Sequence, residues 1–445
     1  MLKRSVSGVR GIVGDGLTPE VAARHAAAFG TVLKGKTVVI ASDTRPTGPM
    51  IKDAAIAGLL SVGCNVVDIG IAPTPTVPLA VSKHKAAAGL AITASHNPIE
   101  WNALKFLGSA KAILPPATIE RILKVADSGK LALKRWDKIG HRFDETRMID
   151  HHIRSITRLN VVDSRRIRRR KPRVVYDAGG GAGYEYGPAL LDALGCDVRK
   201  LNCKPGPKFP RGPEPVPKNL RQLGQAVRKA KADIGFATDP DSDRLAIVDE
   251  DGKPLGEERT LTLATYWVLS RTPGPVVVNL STSRGVADVA AAHGQKCYTS
   301  KVGEANVAAM MRTKRAIIGG EGNGGVILPE LSPGRDALLG MALVLSLLAN
   351  SDDPISEIAA ALPTYYSAKT TRPAPADFSR RLKRLRQKYI KEHQDDRDGI
   401  KVDFEDGSIH ARPSNTEPIV RISAEARSPR RAKELLNDAL GALGL

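Results

Sequence analysis

The 445-residue sequence is poor in cysteine and in aromatic residues, lacks any long apolar run, and carries fewer acidic than basic side chains. Each shortage narrows what the chain can be. Its four cysteines, Cys64, Cys196, Cys203 and Cys297, are scattered with no C-x-x-C pair, which fits reduced buried thiols better than a disulfide framework or a zinc site. Aromatic residues are 4% of the chain, so platforms on which bases stack are not evident. No stretch approaches the roughly 20 apolar residues that span a bilayer; the longest, around Ala337–Ala349, has the length of a buried helix. The opening residues Met1-Leu2-Lys3-Arg4-Ser5 lead into a Gly-rich segment instead of an apolar signal core, and a cytoplasmic location is the expectation.

What remains is the composition of a globular enzyme. Hydrophobic residues are 42% and charged residues 26% of the chain, which argues against wholesale disorder or a fibrous repeat, and the length predicts three or four domains, each with its own core. Lys plus Arg number 67 against 47 for Asp plus Glu, a formal net charge of +20 that attracts anions of any kind, phosphorylated metabolites and nucleic acid alike. The densest basic run, RRIRRRKPR at 165–173, has the charge to grip a phosphodiester backbone, but no aromatic interrupts it. It reads as a solvated connector before the next strand.

Short apolar runs alternating with helical patterns predict an α/β class: three similar α/β domains with mixed sheets, then a smaller α+β domain. In residues 1–150, strands are expected at 37–41, 64–69 and 89–93 and a helix at 50–60. A second cycle, 151–255, has strands at 173–176, near Val198 and at 234–237. A third, 256–368, has strands at 276–280 and 316–318 and the apolar helix Ala337–Ala349. The Pro-bearing stretch 370–375 reads as a linker, and 369–445 is highly charged, with strands at 399–404 and 419–422.

In each α/β unit an apolar strand runs into a polar loop and out into a second strand, and such loops are where α/β folds place their chemistry. The second holds Asp239-Pro240-Asp241-Ser242-Asp243-Arg244. Three carboxylates two residues apart repel one another, and magnesium is the hard, oxygen-seeking cation expected to relieve that repulsion. An EF-hand requires Gly at its sixth position, where Arg244 stands; an acidic turn without an ion is the plainer alternative. In the first loop, Thr93-Ala94-Ser95-His96-Asn97-Pro98, no G-x-S-x-G elbow surrounds the serine. Alone it reads as a turn serine. Beside a divalent cation and Lys105 it becomes a credible phosphoryl carrier, because metal and cations offset charge on the transferring group. The third loop, 319–325, offers Glu321 and Asn323, whose acceptors and donors match paired sugar hydroxyls, or else is a plain β-turn. Near the C-terminus, Arg412-Pro413-Ser414-Asn415-Thr416-Glu417-Pro418, with Arg421 beyond it, suits a phosphate dianion, although Ser-x-Thr turns are common. The glycine cluster at 179–183 lacks the last glycine of a dinucleotide fingerprint and reads as tight strand-to-helix packing.

Together with Ser7-Gly8-Val9-Arg10-Gly11 and Asp43-Thr44-Arg45-Pro46-Thr47-Gly48, these segments resemble, in the same order, the α-D-phosphohexomutase family over nearly the whole chain. The resemblance implies four domains around a central cleft, with Ser95 as a phosphoserine and Asp239, Asp241 and Asp243 binding Mg2+ together with its phosphate. It places Arg10, His96, Lys105 and Arg244 in the catalytic set, with the Lys105 pKa lowered by neighbouring cations so that it can shuttle a proton. It places Glu321 and Asn323 on the sugar, and Arg412, Ser414, Asn415, Thr416 and Arg421 on the distal phosphate. The implied reaction interconverts hexose 1- and 6-phosphates through a hexose 1,6-bisphosphate, which also serves as activator. Two departures stand out. Gly320-Glu321-Gly322-Asn323-Gly324-Gly325 replaces the Gly-Glu-Met-Ser-Gly-His of phosphomannomutase/phosphoglucomutase members, removing a histidine, and Asn415 stands where glycine is usual. The first, with Lys301-Val302-Gly303-Glu304-Ala305-Asn306-Val307, is similar to archaeal-type phosphoglucosamine mutases, which favours glucosamine phosphate over mannose and glucose phosphates. A monomer or homodimer is expected. The competing expectations are a metal-dependent sugar phosphatase and a nucleic-acid-binding protein using the basic surface.

Overall fold

The computed structural model describes residues 2–5, 8–414 and 418–445, so Ser7, Asn415 and Thr416 lie outside the described residues. Four sheets follow one another along the chain. In the first, Val38–Ser42, Val66–Ile71 and Ala88–Ile92 run parallel and Trp101–Leu107 pairs antiparallel with the last of them. Val38–Ser42 is buried at every position; its run VVIAS is what a strand covered on both faces requires. The helices Gly48–Ser61 and Thr76–Lys83 make the crossovers.

The second and third sheets share one topology. In the second, Arg173–Asp177 lies between the parallel strands Asp197–Leu201 and Ile234–Thr238, and Leu245–Val248 closes the edge antiparallel. In the third, Val276–Asn279 lies between Cys297–Ser300 and Ile318–Glu321, and Gly325–Ile327 closes the edge. In all three sheets, therefore, a parallel strand turns directly into an antiparallel neighbour. The three polar loops singled out in the sequence are those turns, at 93–100, 239–244 and 322–324.

The helix Ala337–Ala349 is apolar on all sides because it is buried on all sides. One continuous core takes in its side chains together with those of the second and third sheets. Asp336 caps it, accepting from the Leu338 and Leu339 amides. The fourth sheet is antiparallel and five-stranded, packed against the helices Phe378–Lys388 and Pro429–Leu443. Among the described residues no helix is long and apolar enough to cross a membrane.

Two expectations are corrected. The stretch 370–375 is not a linker: Tyr366–Pro373 is a strand of the fourth sheet, paired antiparallel with Ile419–Ala426. It lies at the sheet edge, and Pro373, at its end, is in a position where a missing N–H is tolerated. The basic run is not a simple connector either. Ser164–Arg170 is a helix capped by Asp163, with Ile167 buried beneath it, and Arg170 donates to the Leu348 carbonyl at 2.5 Å.

Candidate active site

Ser95 follows the strand Ala88–Ile92 and sits in the left-handed region at φ 49°, a strained conformation for a residue with a Cβ that persists only when its surroundings enforce it. The enforcement is visible. The Ser95 amide donates to Thr93 Oγ1 at 3.0 Å, and Thr93 Oγ1 donates to Asp43 Oδ2 at 2.6 Å. Asp43 also receives Arg45 Nε at 3.1 Å. The guanidinium of Arg45, fully buried, donates to the carbonyls of Ser95 (2.6 Å), Asn97 (2.8 Å), Pro98 (2.5 Å) and Trp101 (2.9 Å). One arginine thus collects the carbonyls of the whole loop.

Ser95 Oγ donates to Asp239 Oδ2 at 2.8 Å and lies 3.3 Å from His96 Nδ1. Asp239, Asp241 and Asp243 are buried, with one carboxylate oxygen from each within 4.8 Å of the others. Asp239 Oδ1 accepts from the Asp243 and Arg244 amides, each at 3.1 Å, a turn that holds Ser242 at φ 55°. Asp241 Oδ2 accepts from Thr74 Oγ1 at 2.7 Å and Lys105 Nζ at 2.5 Å; Asp243 Oδ2 accepts from Arg335 Nη2 at 2.7 Å. Among the described residues the other oxygens of Asp241 and Asp243 are buried without a hydrogen-bond partner. Burial and the charges of Asp243 and Asp241 push the Asp239 pKa well above the usual carboxylate range. Burial alone would raise Asp241 too, but the charge and hydrogen bond of Lys105 hold it low. Orphaned hard oxygens beside a carboxylate forced toward its neutral form fit a divalent cation such as Mg2+, and the Asp triad is the set that could hold it.

Around this cage the structure places most of the remaining candidates. Arg10 Nη1 lies 3.5 Å from Asn97 Oδ1. Arg244 pairs with Glu214 at 2.9 Å. His96 is pulled down to about 2 by burial and by the positive charge of Arg244, so its imidazole is neutral. Lys105 corrects an expectation. Burial would lower its pKa, but Asp241 at 2.5 Å and Asp243 at 3.9 Å raise it above the ordinary lysine value, and the neighbours that decide its state are anions from the second sheet. Glu321, at the end of its strand, receives Asn279 Nδ2 at 2.7 Å, the Gly303 amide at 3.1 Å and Arg335 Nη1 at 2.8 Å. Asn323 Oδ1 accepts from the Gly325 amide at 3.3 Å.

Arg412 and Arg421 face each other across the strands Gly407–Pro413 and Ile419–Ala426, with the Ser414 amide donating to the Ile419 carbonyl at 2.9 Å. Burial lowers the Arg412 pKa, opposed by the negative charge of Asp398 and reinforced by the positive charge of Arg421. The expected contributions of Asn415 and Thr416 lie outside the described residues.

Sequence reasoning missed four contributors: Arg335, which bridges two of the loops; Thr74, which supports Asp241; and Asp43 with Arg45, whose motif was noted without a task. The available signal for Arg335 was an Arg-Asp pair immediately before a wholly apolar helix.

A four-domain α/β chain whose loops bring a serine hydroxyl, an acidic metal cage and basic side chains together has the equipment of a phosphoryl-transfer enzyme. Residues 1–132, 150–252 and 256–366 match the alpha/beta/alpha domains I, II and III of phosphoglucomutase/phosphomannomutase, and 368–442 match its C-terminal domain. The chain is 38% identical over 437 residues to a probable phosphoglucosamine mutase of Methanopyrus kandleri, covering 97% of this chain and 95% of the relative. It is 39% identical over 441 residues to a phosphoglucomutase/phosphomannomutase of Thermococcus kodakarensis, covering 96% and 95%. The crystal structure of a phosphoglucomutase/phosphomannomutase family protein from Burkholderia thailandensis superposes with a TM-score of 0.86 at 30% identity, covering 100% of this chain and 98% of that one. The chain belongs to the phosphoglucomutase/phosphomannomutase family, the α-D-phosphohexomutases. It is an isomerase with phosphohexomutase activity, from a family that depends on Mg2+.

Proposed function

We propose that the enzyme interconverts hexose 1-phosphate and hexose 6-phosphate through phospho-Ser95 and a hexose 1,6-bisphosphate, with glucosamine phosphate as its preferred substrate and the bisphosphate as activator. The observation that carries the mechanism is the 2.8 Å contact between Ser95 Oγ and Asp239 Oδ2, which sets the serine at the edge of the acidic cage on a loop held in one conformation by Arg45. In the first half-reaction the bond between phosphorus and Ser95 Oγ breaks as a bond to the free sugar hydroxyl forms. The proton of the sugar hydroxyl passes, net, to Ser95 Oγ, whose hydroxyl then donates to Asp239 Oδ2 as it does here. After the bisphosphate turns around, the other phosphoryl group returns to Ser95.

Asp239, Asp241 and Asp243 would hold Mg2+, which, when bound, offsets charge on the transferring phosphoryl group. Lys105, kept cationic by Asp241, and Arg10, on the neighbouring strand, add positive charge on the side of the first domain. Glu321 and Asn323 orient the sugar. Arg412, Ser414 and Arg421, with Asn415 and Thr416, take the phosphate that is not being transferred. The domains that carry these parts are assigned as 1–150, 151–255, 256–368 and 369–445. The glucosamine preference is supported by the Gly320–Gly325 and Lys301–Val307 sequences and by the Methanopyrus kandleri relative.

Turnover of glucosamine, glucose and mannose phosphates, assayed in both directions with Mg2+ and a trace of hexose 1,6-bisphosphate, tests this reading. The highest kcat/KM is expected on glucosamine phosphate. Release of free phosphate without isomerisation would make the protein a phosphatase instead.

A further inference from the structure

Among the described residues one side chain hydrogen-bonds both the sugar loop of the third domain and the metal cage of the second, and the sequence leaves a gap for it. Arg335 comes from the turn before the helix Ala337–Ala349. Its guanidinium gives Nη1 to Glu321 Oε2 at 2.8 Å and Nη2 to Asp243 Oδ2 at 2.7 Å, with Glu304 Oε2 at 3.7 Å. The side chain is 10% exposed. The stem reaches this position because residue 325 has no side chain: a Cβ built on Gly325 would lie 2.2 Å from Arg335 Cδ and 2.9 Å from Cγ. A flexible arginine ordinarily moves aside from such a contact, but this one is fixed at its far end by two carboxylates, so Gly325 and Arg335 form one unit.

The frame around that unit is rigid. The Leu245 amide donates to the Gly324 carbonyl at 3.0 Å and the Ala337 amide to the Ser242 carbonyl at 3.2 Å, so the metal-loop segment is tied backbone to backbone to the sugar loop on one side and to the helix that follows Arg335 on the other. Glu321 has one oxygen occupied by Asn279 and Gly303 and the other by Arg335; its direction is set from three sides, and only Arg335 also reaches the metal cage of the second domain. An ammonium group, a single point of charge, cannot bind two carboxylates in the forked geometry of a guanidinium.

Taking Glu321 as the sugar-reading residue of the proposed function, we propose that Arg335, admitted by Gly325, is a positioning residue of the mutase reaction. It locks Glu321 to Asp243, so that the recognition of sugar hydroxyls and the transfer of phosphate keep one register in both orientations of the bisphosphate. Discrimination between hexoses that differ at one ring carbon, by configuration or by substituent, follows from that register. A Glu321 free to swing accepts any of them.

The test is a double-mutant cycle with E321Q and R335K, the latter keeping the charge and therefore the fold, assayed on glucosamine, glucose and mannose 1-phosphates. R335K should lower kcat/KM on the preferred sugar by about ten- to a hundredfold, the equivalent of one charge-assisted hydrogen bond, and should shrink the ratio between preferred and disfavoured sugars. The double variant should be no worse than E321Q. In metal-free protein, R335K should speed hydrogen exchange at the Gly303 amide, which Glu321 holds. Multiplicative losses in the double variant, an unchanged sugar ratio in R335K or unchanged exchange at Gly303 would overturn the proposal. If E321Q itself leaves all three sugars unaffected, the reading of Glu321 fails first, whatever Arg335 does.

Discussion

Two buried carboxylate–cation constellations flank Ser95, and they are finished to different degrees. Asp43 and Arg45 are fully partnered: the arginine's three nitrogens all donate, to one carboxylate and four carbonyls, and the carboxylate accepts from Thr93 and the Arg45 amide. The Asp239 cage is left incomplete: among the described residues, Asp241 Oδ1, Asp243 Oδ1 and Ser242 Oγ are buried without a hydrogen-bond partner. Folding tolerates an unsatisfied buried polar group only where something else is gained. The satisfied pair is scaffold that fixes the serine; the partly satisfied triad is where a metal ion could complete the structure.

Substitutions should separate the two. Ser95→Ala, at the point where they meet, should bring turnover to the assay background while leaving the urea midpoint unchanged; activity surviving in that variant contradicts the mechanism. Arg45→Met strands a buried carboxylate and four carbonyls and should destabilise the first domain by about 3–5 kcal/mol, read as an early urea transition with or without Mg2+. Asp239→Asn should do the reverse. With a carboxyl whose ionisation burial and two neighbouring carboxylates oppose replaced by a neutral amide, metal-free protein should gain on the order of 1 kcal/mol, and the stabilisation that Mg2+ gives the unaltered enzyme should vanish. A loss of metal-free stability would place the triad with the scaffold.

A smaller effect sharpens the comparison at a third carboxylate. Glu258, whose oxygens would lie within 2.0–2.6 Å of a Cβ on Gly322 of the sugar loop, accepts from the Ser283 amide at 3.1 Å and has Lys369 at 3.7 Å, with Glu257 and Glu425 acting on it as like charges. Burial pushes it up to about 7. A raised carboxyl binds its proton more tightly in the folded state, so its contribution is present below pH 4.5 and is lost as pH rises toward about 7. Glu258→Gln should flatten that part of the decline in urea midpoint between pH 4.5 and 7; an identical slope in the variant would show that Glu258 does not carry it.

The architecture was legible where local pattern and burial agree. Valine-rich runs such as Val276–Asn279 can only be covered strands, and Ala337–Ala349 only a covered helix. The loops were legible because each compresses its chemistry into six or seven residues. Contributions assembled from distant chain were not. The pKa of Lys105 is set by Asp241, 136 residues away, and Arg335 acquires its meaning only from the gap at Gly325. The stretch 370–375 misled because threonine, arginine and proline punctuate loops and sheet edges equally, and only the pairing with Ile419–Ala426 decides between them.

The central claim is that Ser95, pinned by Arg45 against the Asp239 cage, carries the phosphoryl group. Peptide-resolved intact mass after incubation with a hexose 1,6-bisphosphate and Mg2+ tests it directly. The account predicts one phosphate, on Ser95, in the unaltered enzyme and none in Ser95→Ala. Phosphate on another residue, or unlabelled Ser95 in an enzyme that still turns over, would contradict it.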